Sequence, residues 1–308
     1  MSSEITVAFV QQYRDEVYHL CQQKGSRLQD AVRRETQKGK SQFFDRIGAV
    51  TAQLKVSRHA DTPQIDTPHS RRRVTLADYE WADLIDKEDL RRLLIDPAGD
   101  YAMAAMWAMG RAKDDVIIAA ADGSAYGGET GSTTVAHPNS QKYAFNDGTS
   151  FDGVNVEGLR AIKRIIDGND VDESIQRYAA INAVGLESLL GETEVTSSDF
   201  NTVKALVQGQ VDSFMGFKFI RIERLLAQVD ALSGSSTTGA VGSGSSLIAD
   251  RRCIFWAKDG LLMSTADDVT VEIERRSDKS YATQVYAAMG IGSTRMDEDK
   301  VVIGFASE

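Results

Sequence analysis

The sequence predicts an α+β protein, because one long helical pattern is followed by several short alternating strands. The helix covers residues 97–121, between Asp96, which suits an N-cap, and Gly123, which suits a C-terminal stop. Its small and apolar residues indicate a packing helix on which a sheet lies. Apolar and polar residues alternate most clearly over 217–223 and 269–275, as in half-buried strands.

Length and composition indicate a folded protein of one large or two small domains. The 308 residues are 42% hydrophobic and 26% charged, which excludes wholesale disorder. No apolar run is long enough to span a membrane, and no secretory signal is expected at the N-terminus. Two cysteines, Cys21 and Cys253, cannot build a disulfide framework, so a reducing cytoplasm is the expected compartment.

The net charge of −10 is unevenly distributed along the chain. Residues 1–73 hold 13 of the 35 basic and 8 of the 45 acidic residues, which leaves 22 basic and 37 acidic residues in the remainder. The asymmetry is either a chance difference or a basic arm on an acidic body, able to contact phosphates or an acidic neighbour. Aromatic residues do not alternate with the basic clusters, so base stacking is not expected.

The first part of the chain is predicted to be an arm. Residues 4–36 have the pattern of a polar helix interrupted near Gly25, with a narrow apolar stripe at Val10, Tyr13, Val17 and Leu20. Such a narrow stripe suits an arm that lies across another surface.

A long hairpin is predicted after the arm. Its strands are expected at 50–56 and 71–79, and a polar stretch with Pro63 and Pro68 joins them. Two isolated strands are only marginally stable in water, so a partner subunit is expected to cover them.

The remaining elements form a mixed body. Helices are predicted at 155–167, 183–190 and 199–208, further strands at 177–182, 252–258, 282–292 and 300–305, and loops at 123–153 and 233–246.

No catalytic constellation is visible in the sequence. Gly127–Thr133 resembles a phosphate-binding loop only faintly, because no Lys precedes its hydroxyl residues. The histidines and paired aspartates have neither the spacing of metal ligands nor that of an acid/base pair. The sequence therefore predicts no enzyme, no cofactor and no metal site.

Four stretches, in this order of elements, carry a resemblance to a known family. They are RVTLADYEWADLID at 73–86, TSSDFNTVKAL at 196–206, MGFKFI at 215–220 and DKSYATQVY at 278–286. With them the chain resembles, over nearly its whole length, the major capsid proteins of tailed double-stranded DNA bacteriophages that have the Hong Kong 97 type of fold.

The resemblance implies a division of the chain. The parts that it implies are an N-terminal arm (1–40), an extended loop (41–80), a peripheral domain with a spine helix (81–154), an axial domain with a flexible loop at 233–246 (155–275), and C-terminal strands that return to the peripheral domain (276–308).

The resemblance also implies assembly as hexamers and pentamers into an icosahedral shell around phage double-stranded DNA, within the virion and formed in the host cytoplasm. Inter-subunit contacts are then expected from the arm and extended loop, at Arg27, Arg33, Arg34, Lys38, Lys40, Lys55, Arg58, Arg71, Arg72 and Arg73. A loop at the capsomer centre or shell surface would include Ser233, Gly234, Gly239, Gly242 and Gly244.

The expected partners are further copies of the chain, a portal, a separate scaffolding protein, a decoration protein and the packaged DNA, which is contacted without sequence preference. A membrane is not among them. The scaffolding protein is expected because no long scaffold-like segment precedes the arm. Some relatives cross-link covalently through a loop lysine, and Lys55 is the single lysine of the hairpin, but no matching acceptor and acid are visible, so a cross-link is not predicted.

Two alternatives remain at this point. An encapsulin-type compartment shares the fold but encloses a cargo protein. A soluble α/β enzyme would instead use the 123–153 loop as the mouth of its active site.

Overall fold

The computed structural model describes residues 21–55, 57–58, 64–86, 98–145, 153–192, 213–225, 227–228 and 250–307. These residues fall into two compact units. The smaller unit lies within residues 1–26, 78–112 and 267–290, and the larger unit within 27–77, 113–266 and 291–308. One long helix and one long strand contribute residues to both units.

The described residues contain three α-helices: α1 (Ala98–Asp122), α2 (Val156–Gly168) and α3 (Ala183–Gly191). The first eight strands are β1 (Arg33–Thr36), β2 (Ser41–Ile47), β3 (His69–Thr75), β4 (Ala77–Ile85), β5 (Ala125–Gly127), β6 (Thr133–Val135), β7 (Lys142–Ala144) and β8 (Arg177–Ile181). The others are β9 (Ser213–Phe214), β10 (Phe217–Arg221), β11 (Ala227–Gln228), β12 (Asp250–Ala257), β13 (Leu261–Thr265), β14 (Thr270–Arg276), β15 (Ala282–Arg295) and β16 (Val301–Ser307).

The core of the larger unit is a sheet with the strand order β7-β16-β12-β8-β10-β9, and β11 pairs with β12. Helix α2 begins after Asn155, whose side chain accepts a hydrogen bond from the Gly158 amide at 2.8 Å. Its buried residues Leu159, Ile162 and Ile166 recur every three or four positions and so lie on one face. That face packs with buried residues of β8, β12 and β16 to form a hydrophobic core.

In the smaller unit, β15 is central: β4 pairs with it, and β14 pairs antiparallel with its residues 282–288. Ile85 and Val285 are buried there, and Trp81, Ala102 and Val271 pack against them. Long strand β15 then continues into the larger unit, where residues 291–295 pair with β13.

Among the described residues, the chain before β2 does not form the predicted arm helix. Residues 21–32 form bends and turns, and β1 pairs in parallel with β13. Gly25 has a φ of +75°, outside the helical region, and the indole of Trp256 donates to the Ala31 carbonyl at 2.9 Å. A helix through residues 21–36 is therefore wrong, because strand pairing and this contact hold the chain in place; residues 4–20 lie outside the described residues.

The hairpin is present, but its first strand is earlier than predicted. Strands β2 and β3 pair antiparallel from Ser41↔Thr75 to Ile47↔His69, whereas residues 49–55 form no regular structure. The alternating pattern of 50–56 has no partner strand among the described residues, and a strand cannot persist without one. The prediction of a loop over 123–153 is also wrong in part, because β5 and β6 extend the hairpin sheet and β7 pairs with β16.

The other predicted elements are confirmed within a few residues: the long helix is Ala98–Asp122, and the strands near 217, 252, 269, 282 and 300 are all present. The helix expected at 199–208 and the loop at 233–246 lie outside the described residues. Within the part of the chain that the structure describes, no helix has the length and apolar character needed to cross a membrane.

Candidate functional site

The base of the hairpin lies in a four-stranded sheet with the order β2-β3-β5-β6. In β3, Arg72 stands opposite Phe44 of β2 and Gly127 of β5. A Cβ atom at Gly127 would lie 2.9 Å from a terminal nitrogen of Arg72, so the absence of a side chain there makes room for the guanidinium.

The Arg72 side chain is directed inward and pairs with Glu298, in the turn between β15 and β16. Its Nη2 lies 2.5 and 2.6 Å from the two carboxylate oxygens. Only 3% of Arg72 is exposed, so this ion pair is largely shielded from water. Removing one partner of such a pair leaves the other charge buried without a counter-charge. The loss of either residue therefore destabilises the folded subunit.

Two further arginines contact the same carboxylate. Arg46 of β2 approaches Glu298 to 3.6 Å, and its guanidinium donates to the Met296 carbonyl. The Nε of the fully buried Arg295 lies 3.6 Å from the opposite oxygen. We call these four residues (Arg46, Arg72, Arg295 and Glu298) the hairpin anchor.

Arg295 links the anchor to the end of helix α1. Its Nη1 donates to the carbonyls of Ala121 and Gly123, both at 2.8 Å, and Nη2 donates to the Val135 carbonyl at 3.3 Å. These carbonyls include the unpaired acceptors of a helix C-terminus, where positive charge is favourable. Burial, the largest cause, lowers the pKa of Arg295, while Glu298 acts in the opposite direction.

A second group of charges lies at the same helix end. Asp122 pairs with Arg252, and its carboxylate lies 3.9 Å from the Lys142 ammonium. His137 is buried nearby, and neither ring nitrogen has a hydrogen-bond partner among the described residues. Burial first, then the charges of Arg295 and Lys142, lower the pKa of His137 to about 3. The imidazole is therefore neutral in the folded protein at neutral pH.

Beyond its base, the hairpin exposes apolar side chains. Ile47 is 71% exposed and Leu54 is 89% exposed, and Val50 and Ile65 are also exposed. Complete burial of a fully exposed side chain of this kind releases roughly 1.5–3 kcal/mol. A concentration of such residues on one projection of a subunit is typical of a surface that another protein covers.

The structure places the predicted contact residues in different surroundings. Lys38, Lys40, Lys55 and Arg58 are exposed. Arg33 and Arg34 are exposed and form short-range pairs with Glu35 and Asp30.

The others are engaged within the subunit. Arg27 donates to the Arg221 carbonyl at 2.6 Å, and its amide lies 3.1 Å from the Asp114 carboxylate. Arg71 pairs with Asp45 at 3.2 Å, and Arg73 lies over the ring of Tyr126.

Arg72 differs from all of them, because it is buried and holds the hairpin to its own subunit. The five predicted residues of the loop (Ser233, Gly234, Gly239, Gly242 and Gly244) lie outside the described residues. Sequence reasoning missed Glu298, Arg46 and Arg295, and it gave no reason to single out Ile47.

The described side chains give no support for a metal site or a reactive cysteine. Within the described ranges, no three His, Cys, Asp or Glu side chains are grouped to bind a metal ion. Cys253 is buried, and that burial raises the pKa of its thiol to about 12, so it is not a reactive thiolate.

The chain belongs to the phage capsid protein family, whose pattern it matches over residues 5–308. No curated protein sequence matches it.

Several phage capsids are among the solved structures with a similar fold. The capsid protein of cyanophage P-SCSP1u is 16% identical with a TM-score of 0.72, covering 100% of this chain and 96% of that one. That of cyanophage Pam1 is 15% identical with a TM-score of 0.71, covering 98% and 97%. That of Helicobacter pylori bacteriophage KHP30 is 10% identical with a TM-score of 0.67, covering 100% and 97%.

These comparisons show that the chain is a major capsid protein with the Hong Kong 97 type of fold. The family match gives the class of protein, and the structural likeness gives the fold. The chain is thus a structural component of the virion capsid and not an enzyme, and neither the encapsulin nor the soluble enzyme is favoured.

The hairpin anchor yields a prediction on stability. In Glu298→Gln, Arg72 and Arg295 lose their shared counter-charge, so the unassembled subunit should lose about 3 kcal/mol of unfolding free energy. The matched control, Glu35→Gln, breaks the exposed pair with Arg33 and should cost under about 0.5 kcal/mol. Urea denaturation measures both; equal losses would contradict the role of the anchor.

Buried His137 yields a prediction on pH. Its pKa is about 3 when folded and about 6.5 when unfolded, so protons bind the unfolded state first and stability falls as pH drops from 6.5 toward 3. Between pH 7 and 5 this group should remove about 2 kcal/mol.

The variant His137→Gln should lose correspondingly less stability over that interval, whereas the control His69→Gln, at an exposed position of β3, should behave like the unmodified chain. Urea denaturation at both pH values makes the comparison. Identical losses in His137→Gln and the unmodified chain would show that His137 does not carry this pH dependence.

Proposed function

We propose that copies of this chain assemble as hexamers and pentamers into an icosahedral shell that encloses the phage double-stranded DNA. The observation that carries the proposal is the contrast within the hairpin: an ion pair anchors its base at Arg72, while Ile47 and Leu54 are exposed beyond it. A firmly held base fixes where the apolar side chains lie, which lowers the entropy that association must overcome.

In a closed shell, small contacts between subunits are together sufficient to stabilise the particle. Each subunit in a closed shell contacts several neighbours, so modest burial at each interface adds up over the particle. The exposed Lys38, Lys40, Lys55 and Arg58 would add contacts to acidic neighbours, which high salt would weaken.

In this proposal the chain is divided as the family resemblance implies. Residues 1–40 act as an arm and 41–80 as the extended loop. The peripheral domain takes 81–154, the axial domain 155–275, and the last strands 276–308 return to the periphery. The loop with Ser233 and the four glycines would lie at the capsomer centre or shell surface.

The assembly of such a shell and the packaging of DNA into it imply further partners. A portal for DNA entry, a separate scaffolding protein and a decoration protein are proposed, with assembly in the host cytoplasm. The basic residues of the arm would contact packaged DNA through phosphates, without sequence preference.

Negative-stain electron microscopy, with absorbance at 260 and 280 nm on the same fraction, tests the proposal. Shells, tubes or six-fold rings are expected from the chain expressed alone or with a scaffolding protein. Closed shells from phage-infected cells should contain nucleic acid. A uniform small oligomer under all these conditions would contradict the proposal.

A point variant tests the apolar surface of the hairpin. Ile47→Asp should leave the subunit as stable as the unmodified chain, because the side chain is already 71% exposed, but should greatly reduce the assembled fraction. Ile47→Val is the matched control and should assemble normally. Sedimentation velocity measures the assembled fraction, and normal assembly of Ile47→Asp would exclude this residue from the interfaces.

A further inference from the structure

Strand β1 forms an open edge of its sheet. It pairs in parallel with β13, and no other described strand pairs with it. The amide of Gln37 donates to the Thr265 carbonyl at 2.9 Å, so the backbone groups of Gln37 face β13. Because successive residues of a strand alternate in direction, the amides and carbonyls of Arg34 and Thr36 face away from β13. These groups are placed to bond an incoming strand.

A groove of about 690 Å³ borders β1 within the larger unit. Buried Val32 and half-buried Ile175 give it an apolar part, and Lys258 and Asp259 line it from the turn before β13. The amide of Lys258 donates to the Gln176 carbonyl at 3.0 Å, which holds this turn beside the segment of Ile175. A groove next to an open edge can accept the side chains of an added strand.

The charges at this place favour an acidic occupant. Three acidic side chains lie in β1 or line the groove, and each is paired within the subunit. The pairs are Glu35 with Arg33, Asp30 with Arg34, and Asp259 with Lys300. Lys258 is exposed and has no ion-pair partner among the described residues. One positive charge is therefore left over at the groove, where a carboxylate of a partner would complement it.

The described part of this chain offers no matching segment to a second copy. Acidic and apolar residues alternate in β4 and β14, but both strands already belong to their own sheet. Residues 50–55 are unpaired, but they include no acidic residue and end in Lys55. The occupant that fits the groove is therefore a segment of a different protein.

We infer that the edge of β1 and the groove beside it bind an extended acidic segment of a different protein. The segment adds as a strand to the backbone groups of Arg34 and Thr36. Its apolar side chains contact Val32 and Ile175, and a carboxylate pairs with Lys258. This inference goes beyond the proposed function, which assigns no surface to a partner protein.

Fluorescence anisotropy on the full-length, unassembled subunit tests the inference. The probe is a labelled peptide of alternating glutamate and valine, for which we expect a Kd below about 1 mM. The same peptide with lysine in place of glutamate should bind at least about tenfold more weakly, because its charge opposes that of the groove. Absence of binding by the glutamate peptide would overturn the inference.

A proline variant tests the strand addition itself. The Thr36 amide faces away from β13, so Thr36→Pro removes a donor of the open edge without removing a bond to β13. The variant should keep the urea midpoint of the unmodified chain and bind the glutamate peptide at least about tenfold more weakly. Thr36→Val keeps the amide and is the matched control. Equal binding by the two variants would overturn the strand addition.

A charge reversal gives an independent result, even if Thr36→Pro does not fold. Lys258→Glu, at an exposed position, should weaken binding of the glutamate peptide and strengthen binding of the lysine peptide. Lys279→Glu, exposed in the smaller unit, is the matched control and should bind both peptides like the unmodified chain. Unchanged binding of both peptides by Lys258→Glu would exclude the groove.

Two further outcomes separate this inference from other accounts. A short DNA duplex that binds at Lys258 while the glutamate peptide does not would show a phosphate-binding surface and overturn the inference. A chain that assembles into particles but whose subunits do not bind the peptide would lose this inference and keep the proposed capsid function. Failure to form any particle would instead contradict the proposed function.

Discussion

The structure of the hairpin depends on one carboxylate, that of Glu298. Arg72 and Arg46 reach it from the two hairpin strands, and Arg295 reaches it from the end of β15. Arg295 also binds the last carbonyls of helix α1, so one buried group connects the helix end with the hairpin base. Since a buried charge is costly without its partners, these elements are held together as a set.

This arrangement divides the hairpin into two parts with different roles. The base is paired, buried and ionically fixed, whereas the residues after Ile47 expose apolar side chains and leave a strand pattern unpaired. A subunit folded in this way keeps exposed apolar side chains, whose burial requires association with another protein. A capsid protein needs such surfaces, because many copies of one chain must contact one another.

The sequence predicted what depends on local pattern. The long helix has small residues, a capping position and a terminal glycine, and it appears as Ala98–Asp122. The anchor could not be predicted, because Arg72 and Glu298 are 226 positions apart and each looks like an ordinary surface charge in the sequence. The predicted strand at 50–56 shows the opposite case: its residues alternate, but a strand also needs a neighbouring strand, and no described strand pairs with residues 50–55.

A cryo-electron microscopy reconstruction of assembled particles would show whether the hairpin is held at its base by its own subunit and contacts a neighbour beyond it. We expect Arg72 to contact Glu298 of the same chain in each subunit, and the hairpin residues after Ile47 to lie on a neighbouring subunit. Density showing these residues folded against their own subunit, with no contact to a neighbour, would contradict this expectation.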